Sequence, residues 1–477
     1  MPNLSRRHLF AASAAVAAGV TFTNNASAQT PQWNSTYPVV VAGGGAAGCM
    51  AAIEAAKAGR KVLLLQAVAM LGGSSAISSG WIRSCNTVWH EKRGIKDSAA
   101  AYAQDILTYG NGTRDAEKAR MIAELSGPFV NYLASIGVEF TDEEDRANGG
   151  DKLRIVKTNG GGGALMAKLA AAVQAEKNIT IVTNAALTDV FLDDKKEKVI
   201  GCAYLRRKKT VYVKTPAVVI ATGGFGRNQS YVEKFANEWK KTGRAMDTHH
   251  NGDGLRIATD LGAGAANLNI GMVCPTLEVT KNIFYSSAPL LNGGIFVNEQ
   301  GRRFVNEYVI YTDTPRAMLK QKTTWEIVTK EMHPVVERMI KAGVTTKCES
   351  YDDLARVIGC PAANLKEDIE KFNAVTRTDP AHRKDDFGRK VWGRELTFPM
   401  YILQVMPVLI ETVGGFTINA KSQVTTLMGK PVAKGLFGAG SVAFGEHFGP
   451  GYRSGEAYVY AGTTGMTAGR EAAKLSK

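Results

Sequence analysis

The chain has 477 residues, of which 45% are hydrophobic and 21% are charged, and its formal net charge at pH 7 is +14. This length is too great for one hydrophobic core and predicts two domains of a soluble globular protein. No low-complexity tract or internal repeat is present, which excludes fibrous and solenoid architectures. The 50 glycines gather in short clusters, which are typical of places where backbone approaches a ligand closely.

The first 28 residues have the features of an export signal. Arg6 and Arg7 precede an apolar stretch over residues 11–20, and Ala26-Ser27-Ala28 supplies the small residues of a cleavage site. The paired arginines favour the twin-arginine route, which exports folded, cofactor-loaded proteins, over an ordinary secretory signal. The stretch is shorter than the roughly 20 residues that span a bilayer, so we expect no stable membrane insertion. The sequence therefore predicts a periplasmic protein.

The positive charge indicates an anionic binding partner. Removal of Arg6 and Arg7 with the signal takes two charges from +14 and leaves +12. Such a charge attracts nucleic acid, an anionic substrate or an acidic protein. Export argues against nucleic acid, so we expect a small anionic substrate and no nucleic-acid partner.

The cysteine pattern argues against bound haem. None of the six cysteines, at positions 49, 85, 202, 274, 348 and 360, forms a C-x-x-C pair or a haem-attaching C-x-x-C-H motif. Their scattered spacing predicts mostly free, buried thiols, and no metal site is predicted. Haem, if the protein uses it, is expected to belong to a separate protein.

A dinucleotide-binding motif follows the first predicted strand, residues 37–42. Gly43-Gly44-Gly45-Ala46-Ala47-Gly48 has the spacing G-x-G-x-x-G and is followed by an alanine-rich predicted helix over 49–58 and a second strand over 62–65. In this setting Gly43 permits a tight turn, Gly45 lets a pyrophosphate approach, and Gly48 lets helix pack on strand. The helix N-terminus favours the phosphate charge. The pattern predicts a Rossmann-like domain.

The second strand ends at Gln66, where such domains usually carry an acid for the ribose hydroxyls. Gln66 is neutral but can still accept a hydrogen bond. No arginine stands beside it, which argues against NADP.

Three more glycine clusters distinguish FAD from NAD. Leu71-Gly72-Gly73-Ser74-Ser75 follows the second strand, and Ala221-Thr222-Gly223-Gly224 ends a predicted strand over 217–220. Gly435-Leu436-Phe437-Gly438-Ala439-Gly440 precedes a predicted helix that starts at about residue 454. With the first motif, these clusters predict an FAD site.

Taken in order, the motifs resemble those of the fumarate-reductase/flavocytochrome c and 3-ketosteroid Δ1-dehydrogenase group of FAD enzymes, over about residues 36–472. The resemblance implies an α/β fold in which a Rossmann-like FAD-binding domain (29–230 and 395–477) carries an inserted α+β capping domain (231–394). Within the insertion, Asn251-Gly252-Asp253-Gly254 resembles the family's T-G-D-G helix start. Asp253 is therefore expected to cap a helix over 255–261.

The resemblance also implies how FAD is held. Membrane-bound fumarate reductases attach it to a histidine near the position of Ser74 and Ser75, and the sequence has none there, so non-covalent FAD is expected. The implied cofactor-binding residues are Gly43, Gly45, Ala46, Ala47, Gly48, Gln66, Gly72, Gly73, Ser74, Ser75, Ala221, Thr222, Gly223, Asp253, Gly440, Ser441, Ser454 and Ala457.

A proton-handling residue is implied after the family's G-x-R-F-x-N-E hairpin, which matches residues 301–307. Four positions past Glu307, fumarate reductases carry an arginine proton donor, whereas this chain has Tyr311, as ketosteroid dehydrogenases do. Neighbouring positive charge would lower the pKa of a tyrosine and let it transfer a proton. Tyr311 is therefore expected to be catalytic, with a packing role as the alternative. Arg316 lies one turn further on and is disfavoured by its register.

Two histidines that bind fumarate in that family are replaced in this chain. Cys274 stands in place of the first and Glu411 in place of the second. Because Glu411 would repel a second substrate carboxylate, fumarate is not expected. Glu411, Thr412 and Gly415 are predicted to face the substrate.

The last motif, residues 446–457, is predicted to face both flavin and substrate. Aligned to fumarate reductases with one gap, Arg453 matches an arginine that clamps a substrate carboxylate. Aligned to ketosteroid dehydrogenases without a gap, Gly451 ends their G-P-G motif and His447 takes the place of a ketone-polarising tyrosine. A surface role for Arg453 and a structural role for His447 are the alternatives.

Three functions follow from the resemblance. The first is reduction of the C=C bond of an acrylate, methacrylate or arylacrylate, with hydride from flavin N5, a proton from Tyr311, and the carboxylate held by Arg453. Its electrons would come from a separate multihaem cytochrome c. The second is dehydrogenation of a ketone, with Tyr311 as base and His447 on the carbonyl. The third is electron relay without catalysis, against which the capping domain argues.

Overall fold

The structure is a computed structural model that describes residues 31–109, 115–142, 153–246, 249–308, 311, 313–389, 392–449 and 452–475. The predicted signal over 1–28 and the predicted substrate residue Gly451 lie outside the described residues.

The described strands form five sheets. They are β1 Ser35–Thr36, β2 Val39–Ala42, β3 Val62–Gln66, β4 Trp81–Arg83, β5 Ile155–Lys157, β6 Ile179–Thr183, β7 Ala185–Leu192, β8 Val199–Arg206, β9 Lys209–Lys214, β10 Val218–Ile220, β11 Gly243–Arg244, β12 Ala265–Ala266, β13 Gly271–Glu278, β14 Ile283–Phe284, β15 Ile295–Asn298, β16 Thr324–Val328, β17 Thr346–Cys348, β18 Met400–Thr412, β19 Gly415–Phe416 and β20 Leu436–Gly438.

The helices lie between the strands along the chain, and the last helix follows the last strand. They are α1 Ala46–Lys57, α2 Gly73–Ile77, α3 Val88–Lys92, α4 Ala99–Tyr109, α5 Ala116–Ser135, α6 Gly161–Ala175, α7 Gln229–Phe235, α8 Asp253–Asp260, α9 Ala288–Leu291, α10 Asp313–Met318, α11 Pro334–Lys341, α12 Tyr351–Ile358, α13 Ala362–Arg377 and α14 Glu456–Lys474.

A five-stranded parallel sheet organises the nucleotide-binding half. Its order is β20-β10-β2-β3-β6, and every neighbouring pair is parallel. Strands β2, β3 and β10 are buried along their whole length, because helices cover both faces of a parallel sheet. The predicted strand–helix–strand unit is thus observed as β2–α1–β3, and the carboxyl ends of these strands lie together at one edge.

Helices α1 and α14 pack closely against each other beside this edge. A Cβ at Gly465 would lie 2.3 Å from the Ala47 carbonyl oxygen, and one at Gly469 would lie 2.3 Å from that of Ala51. Only glycine permits this approach, since real Cβ contacts are longer. The packing fixes the start of α14 next to the start of α1.

A second layer contains a mostly antiparallel seven-stranded sheet. Its order is β14-β13-β18-β16-β15, with β11 and β17 also paired to β18. A separate hydrophobic core, which we call the second core, lies on this sheet and includes Phe296, Ile327, Val336 and Phe372. The α/β class with a Rossmann-like core is confirmed.

The predicted domain boundaries stay a prediction, and residues near them pack in both layers. Val232, Trp239 and Leu255, at the start of the predicted insertion, pack in the core of the parallel sheet. Strand β18, which begins after the predicted insertion ends, pairs with the second sheet. The chain therefore crosses between the two layers more than once.

Glu326 is buried in the second layer, on β16 between Phe296 and Leu403 of the neighbouring strands. Among the described residues, its carboxylate oxygens have no hydrogen-bond partner. Burial raises the pKa of Glu326 from 4.5 to about 8. Between these pH values the folded protein holds a proton that the unfolded chain has released, so the free energy of unfolding falls as the pH rises.

Replacement Glu326→Gln is expected to remove this pH dependence. In the wild type, the free energy of unfolding is expected to fall by up to about 4–5 kcal/mol between pH 4.5 and 8, because each pKa unit corresponds to about 1.4 kcal/mol. The variant should not show this fall. Urea unfolding of the holoprotein at several pH values measures it. The exposed Glu370→Gln variant is the control and should follow the wild type. Parallel curves for wild type and Glu326→Gln would contradict the prediction.

Candidate active site

A cavity of about 1190 Å³ lies at the carboxyl edge of the parallel sheet and extends to the second layer. We call it the central cavity. One part of its wall comes from the starts of α1, α8 and α14, and from α2, whereas the other part comes from β13, β18, α9 and α11. The glycine motifs therefore share one cavity with residues of the second layer.

The first glycine motif is shaped by close backbone packing. Gly43 has φ +116°, and a Cβ there would lie 2.1 Å from the Ala221 carbonyl oxygen. A Cβ at Gly48 would lie 1.8 Å from the Gly43 carbonyl oxygen. At Gly45, by contrast, the nearest atom is the Ser75 hydroxyl at 3.7 Å. The backbone at Gly45 is thus open toward the cavity, as a pyrophosphate at the start of α1 requires.

Gln66 lines the cavity, but its side-chain amide is hydrogen-bonded to backbone groups of the neighbouring loops. Its Oε1 accepts a hydrogen bond from Gly44 N at 2.9 Å, and its Nε2 donates to the Met70 carbonyl at 2.8 Å. The glutamine therefore holds the glycine turn in place. A ribose hydroxyl could contact it only at the remaining acceptor capacity of Oε1.

Most of the predicted cofactor residues meet in this cavity. Those that line it are Gly43, Gly45, Ala46, Ala47, Gln66, Gly73, Ser74, Ser75, Ala221, Thr222, Gly223, Asp253, Gly440, Ser441, Ser454 and Ala457. Gly48 and Gly72 do not line it and instead support the wall, since the Gly72 N–H donates to the Gly44 carbonyl at 2.8 Å. The volume of the cavity, the open glycine turn and the helix N-terminus fit an FAD molecule.

Asp253 does not cap α8 in the predicted way. The N-cap is Gly252, in the left-handed region with φ +79°, and Asp253 is the first helical residue. The Asp253 carboxylate lies 3.1 Å from Nε2 of His249. A Cβ at Gly252 would collide with Phe225 and Tyr231, which explains why glycine occupies the cap position.

Tyr311 lines the cavity and contacts both Ser454, before the start of α14, and the cluster that contains Cys274 of β13. Its hydroxyl lies 3.3 Å from the Ser454 hydroxyl, and its ring packs edge-on against Tyr452. Its enclosed position raises the pKa of Tyr311 above the usual range, Cys274 raises it further, and the bond with Ser454 lowers it. The expectation of a pKa lowered by positive charge is therefore wrong, because enclosure dominates at this position.

Arg453 does not line the cavity. Its guanidinium donates to Glu456 at 2.9 and 2.7 Å and to Asp105 at 3.1 Å, and it stacks over the ring of Tyr109. The side chain is buried. A direct contact with a substrate carboxylate, as predicted from the sequence, would require Arg453 to leave two carboxylates, so in this structure the residue supports the loop that carries Ser454.

Of the other predicted substrate residues, one lines the wall of the central cavity and the rest that are described lie inside the protein. Glu411 lines the cavity, whereas Thr412, Gly415 and His447 do not. The Thr412 hydroxyl accepts from Phe225 N at 3.2 Å, and a Cβ at Gly415 would lie 2.3 Å from the Val442 carbonyl oxygen. The His447 ring packs on Phe448 and Tyr460 inside the core, which corresponds to the structural alternative for this histidine.

His250 is a cavity residue that the sequence reasoning missed. Its Nε2 lies 3.0 Å from the Ser74 hydroxyl and its Nδ1 lies 3.6 Å from Glu411. A Cβ at Gly223 would lie 2.4 Å from its Nε2. The histidine precedes the Asn251-Gly252-Asp253-Gly254 motif, but a glutamate 161 positions later in the sequence gives no local signal of this pairing.

Three further features concern the cysteines, membrane spans and metal sites. All six cysteines are free, and five of them are buried. No helix in the described ranges is long and apolar enough to span a bilayer. Within the same ranges, no three His, Cys, Asp or Glu side chains are grouped to hold a metal ion.

Comparison with known proteins agrees with an FAD site in the central cavity. The model of the FAD binding domain family matches residues 38–457. A fumarate reductase (cytochrome) of Shewanella frigidimarina is 30% identical in an alignment of 454 positions that covers 93% of this chain and 78% of the relative. The acrylate reductase flavoprotein subunit of Shewanella woodyi is 27% identical, with 87% of each chain covered.

Solved structures show the same architecture. The open conformation of a flavocytochrome c3 fumarate reductase matches with a TM-score of 0.82 at 27% identity, over 93% of this chain and 79% of that one. The 3-ketosteroid-Δ4-(5α)-dehydrogenase of Rhodococcus jostii RHA1 shares the fold, with a TM-score of 0.71 at 24% identity over 94% and 99% of the chains. The resemblance to both groups is confirmed. The chain belongs to the FAD binding domain family and is an FAD-dependent oxidoreductase.

Proposed function

We propose that the protein reduces the C=C bond of a small unsaturated monocarboxylate in the central cavity. The observation that carries the proposal is the position of Tyr311, whose phenol faces the cavity beside Ser454 and the start of α14. Relatives named for the reduction of fumarate and acrylate support a reductase of this kind.

The reaction adds one hydride and one proton across the double bond and gives the saturated carboxylate. When bound and reduced, FAD would supply the hydride for the β-carbon. Tyr311 supplies the proton, which adds to the α-carbon. Its raised pKa keeps the phenol protonated at neutral pH, which suits a donor and disfavours the base that a dehydrogenase needs.

Glu411 is proposed to limit the substrate to one carboxylate. Its side chain faces the cavity and is held next to His250. A second substrate carboxylate placed there would meet a like charge at close range, which is unfavourable in an enclosed site. This assignment favours acrylate-type substrates over fumarate.

Electrons are proposed to come from a separate multihaem cytochrome c. The sequence contains no C-x-x-C-H motif, and one relative is named as a cytochrome fumarate reductase. The net positive charge favours association with an acidic donor.

Export to the periplasm by the twin-arginine route is proposed from residues 1–28. Replacement Arg6→Lys with Arg7→Lys is expected to leave full-length protein in the cytoplasm, whereas the wild type should be found in the periplasm with Gln29 as its first residue. Cell fractionation and mass spectrometry of the intact protein measure this. Unchanged export of the double variant would instead indicate an ordinary secretory signal.

The function is tested by anaerobic assay of the holoprotein with reduced methyl viologen and acrylate, methacrylate, 3-phenylacrylate or fumarate. We expect viologen oxidation with at least one monocarboxylate, together with the saturated product by NMR. FAD-loaded protein that turns over no enoate would overturn the proposal. Dye-linked oxidation of a 3-ketosteroid by the same preparation would establish the dehydrogenase alternative.

A further inference from the structure

We propose that Arg338, on helix α11 of the second layer, binds the substrate carboxylate and makes the enzyme selective for monocarboxylates with an apolar body. The inference rests on the proposed function and names the residue that recognises its substrate. Arg338 lines the central cavity. Neither the glycine motifs nor the motif over 446–457 includes it.

The cavity offers few other cations for an anionic substrate. Arg453 is outside the cavity and paired with Glu456 and Asp105. The Lys157 ammonium lies over the ring of Trp81, 4.8 Å from its centroid.

The three described histidines in the cavity wall also contact neighbouring protein groups. His249 pairs with Asp253 and His250 with Glu411. The His333 Nδ1 accepts a hydrogen bond from Val335 N at 3.1 Å and caps α11. These imidazoles are therefore committed within the wall.

The Arg338 guanidinium, by contrast, belongs to an exposed residue and has no hydrogen-bond or ion-pair partner among the described residues. Its charge acts on the neighbouring Tyr285, where it opposes the rise of that tyrosine's pKa that burial causes. A guanidinium with its donors uncommitted is the side chain best suited to bind a carboxylate in a bidentate manner.

The helix holds Arg338 in this position. The helix buries Val335, Val336 and Met339 in the second core, and Pro334 at its first position favours the helix start. A helix anchored along one apolar face gives its polar side chains a fixed backbone from which to extend. Arg338 is therefore presented to the cavity by a rigid element and not by a loop.

The cavity wall contributed by the second layer indicates the polarity of the part of the substrate beyond its carboxylate. Apolar side chains contributed by the second layer include Phe284 and Leu291, and Met272 and Ile410 line the cavity nearer to Glu411. A single guanidinium satisfies one carboxylate, and these side chains favour an apolar group between that carboxylate and the rest of the cavity. A 3-arylacrylate fits this wall better than acrylate.

The test compares Arg338→Gln and Arg338→Lys with Lys341→Gln. Lys341 ends the same helix, is exposed and does not line the cavity, so its replacement removes the same charge without touching the site. Each holoprotein is assayed with 3-phenylacrylate and with its uncharged carboxamide. Titration of both compounds into the oxidised protein, followed by the visible spectrum of FAD, gives a binding readout that does not depend on turnover.

We expect Arg338→Gln to lower kcat/KM for the acid by about 10- to 100-fold, mainly through KM, and to leave the amide nearly unchanged. The loss in binding affinity for the acid should be similar, Arg338→Lys should be intermediate, and Lys341→Gln should match the wild type. An acid preference in Arg338→Gln equal to that of the wild type would overturn the inference. Equal losses of kcat/KM for the acid in Arg338→Gln and Lys341→Gln would also overturn it, because they would indicate long-range electrostatic attraction of the anion. A wild type inactive toward every enoate would instead refute the proposed function itself.

Discussion

Replacement Tyr311→Phe is expected to lower enoate turnover by about 10²- to 10⁴-fold, the range that a general acid contributes. The phenylalanine keeps the edge-on contact with Tyr452 and loses only the hydroxyl that contacts Ser454. FAD content and thermal stability should therefore stay close to those of the wild type. Steady-state kinetics with reduced viologen, alongside the flavin absorbance of the purified protein, measure both properties.

A matched control separates proton donation from general loss of a hydroxyl. Tyr401, on β18, does not line the cavity, so Tyr401→Phe should keep wild-type turnover. If Tyr311→Phe retained more than a tenth of the wild-type rate, the phenol would not be the proton donor, and the residue would have the packing role that the sequence left open.

The pH profile gives an independent readout of the same residue. Because enclosure raises the pKa of Tyr311, the phenol stays protonated at pH values where an ordinary tyrosine, with a pKa of about 10, begins to ionise. Wild-type kcat is therefore expected to show no loss from Tyr311 up to pH 10. A decline in kcat centred well below pH 10 that disappears in Tyr311→Phe would contradict this expectation.

Replacement Arg453→Gln is expected to reduce the free energy of unfolding by about 3–5 kcal/mol, the cost of breaking a buried ion pair by removing one partner. The glutamine removes the guanidinium that holds Glu456, whereas Asp105 keeps its ion pair with Arg154. Because Arg453 supports the loop that carries Ser454, FAD retention should fall as well. Denaturant unfolding and the ratio of flavin to protein measure these effects.

Two further variants decide between this role and direct substrate binding. Arg453→Gln combined with Glu456→Gln removes both charges and is expected to recover part of the lost stability. Arg470→Gln breaks a more exposed ion pair, with Glu54, and should cost at most about 1 kcal/mol. A stable Arg453→Gln protein with only a raised KM for the acid would show that Arg453 binds the carboxylate, as predicted from the sequence.

The sequence was sufficient to predict the nucleotide-binding half. Gly43, Gly45 and Gly48 act through the backbone, which must turn sharply, admit a phosphate or allow close packing, and these requirements exclude other residues at fixed spacings. The strands on either side are continuous apolar runs, because both faces of a parallel sheet are buried. Such constraints are local, so the chain order alone reveals them.

The substrate half depended on the tertiary structure. Arg453 was recognised as a cation, but its guanidinium does not line the cavity: Glu456, three positions on, holds it, and so does Asp105, which lies 348 positions earlier in the chain. The proximity of His250 to Ser74 is likewise a contact across 176 positions. Side-chain direction in a cavity results from packing between distant elements, and one sequence contains no record of those contacts.

For this protein, the sequence by itself determined the FAD-binding fold and brought attention to Tyr311. Only the tertiary structure showed that Tyr311 is enclosed, that Arg453 is held by carboxylates, and that Arg338 faces the cavity. The physical reason is that glycine geometry and strand burial are properties of short segments. The charge and proton chemistry of a site instead depend on which side chains the folded layers bring together and how far they exclude water.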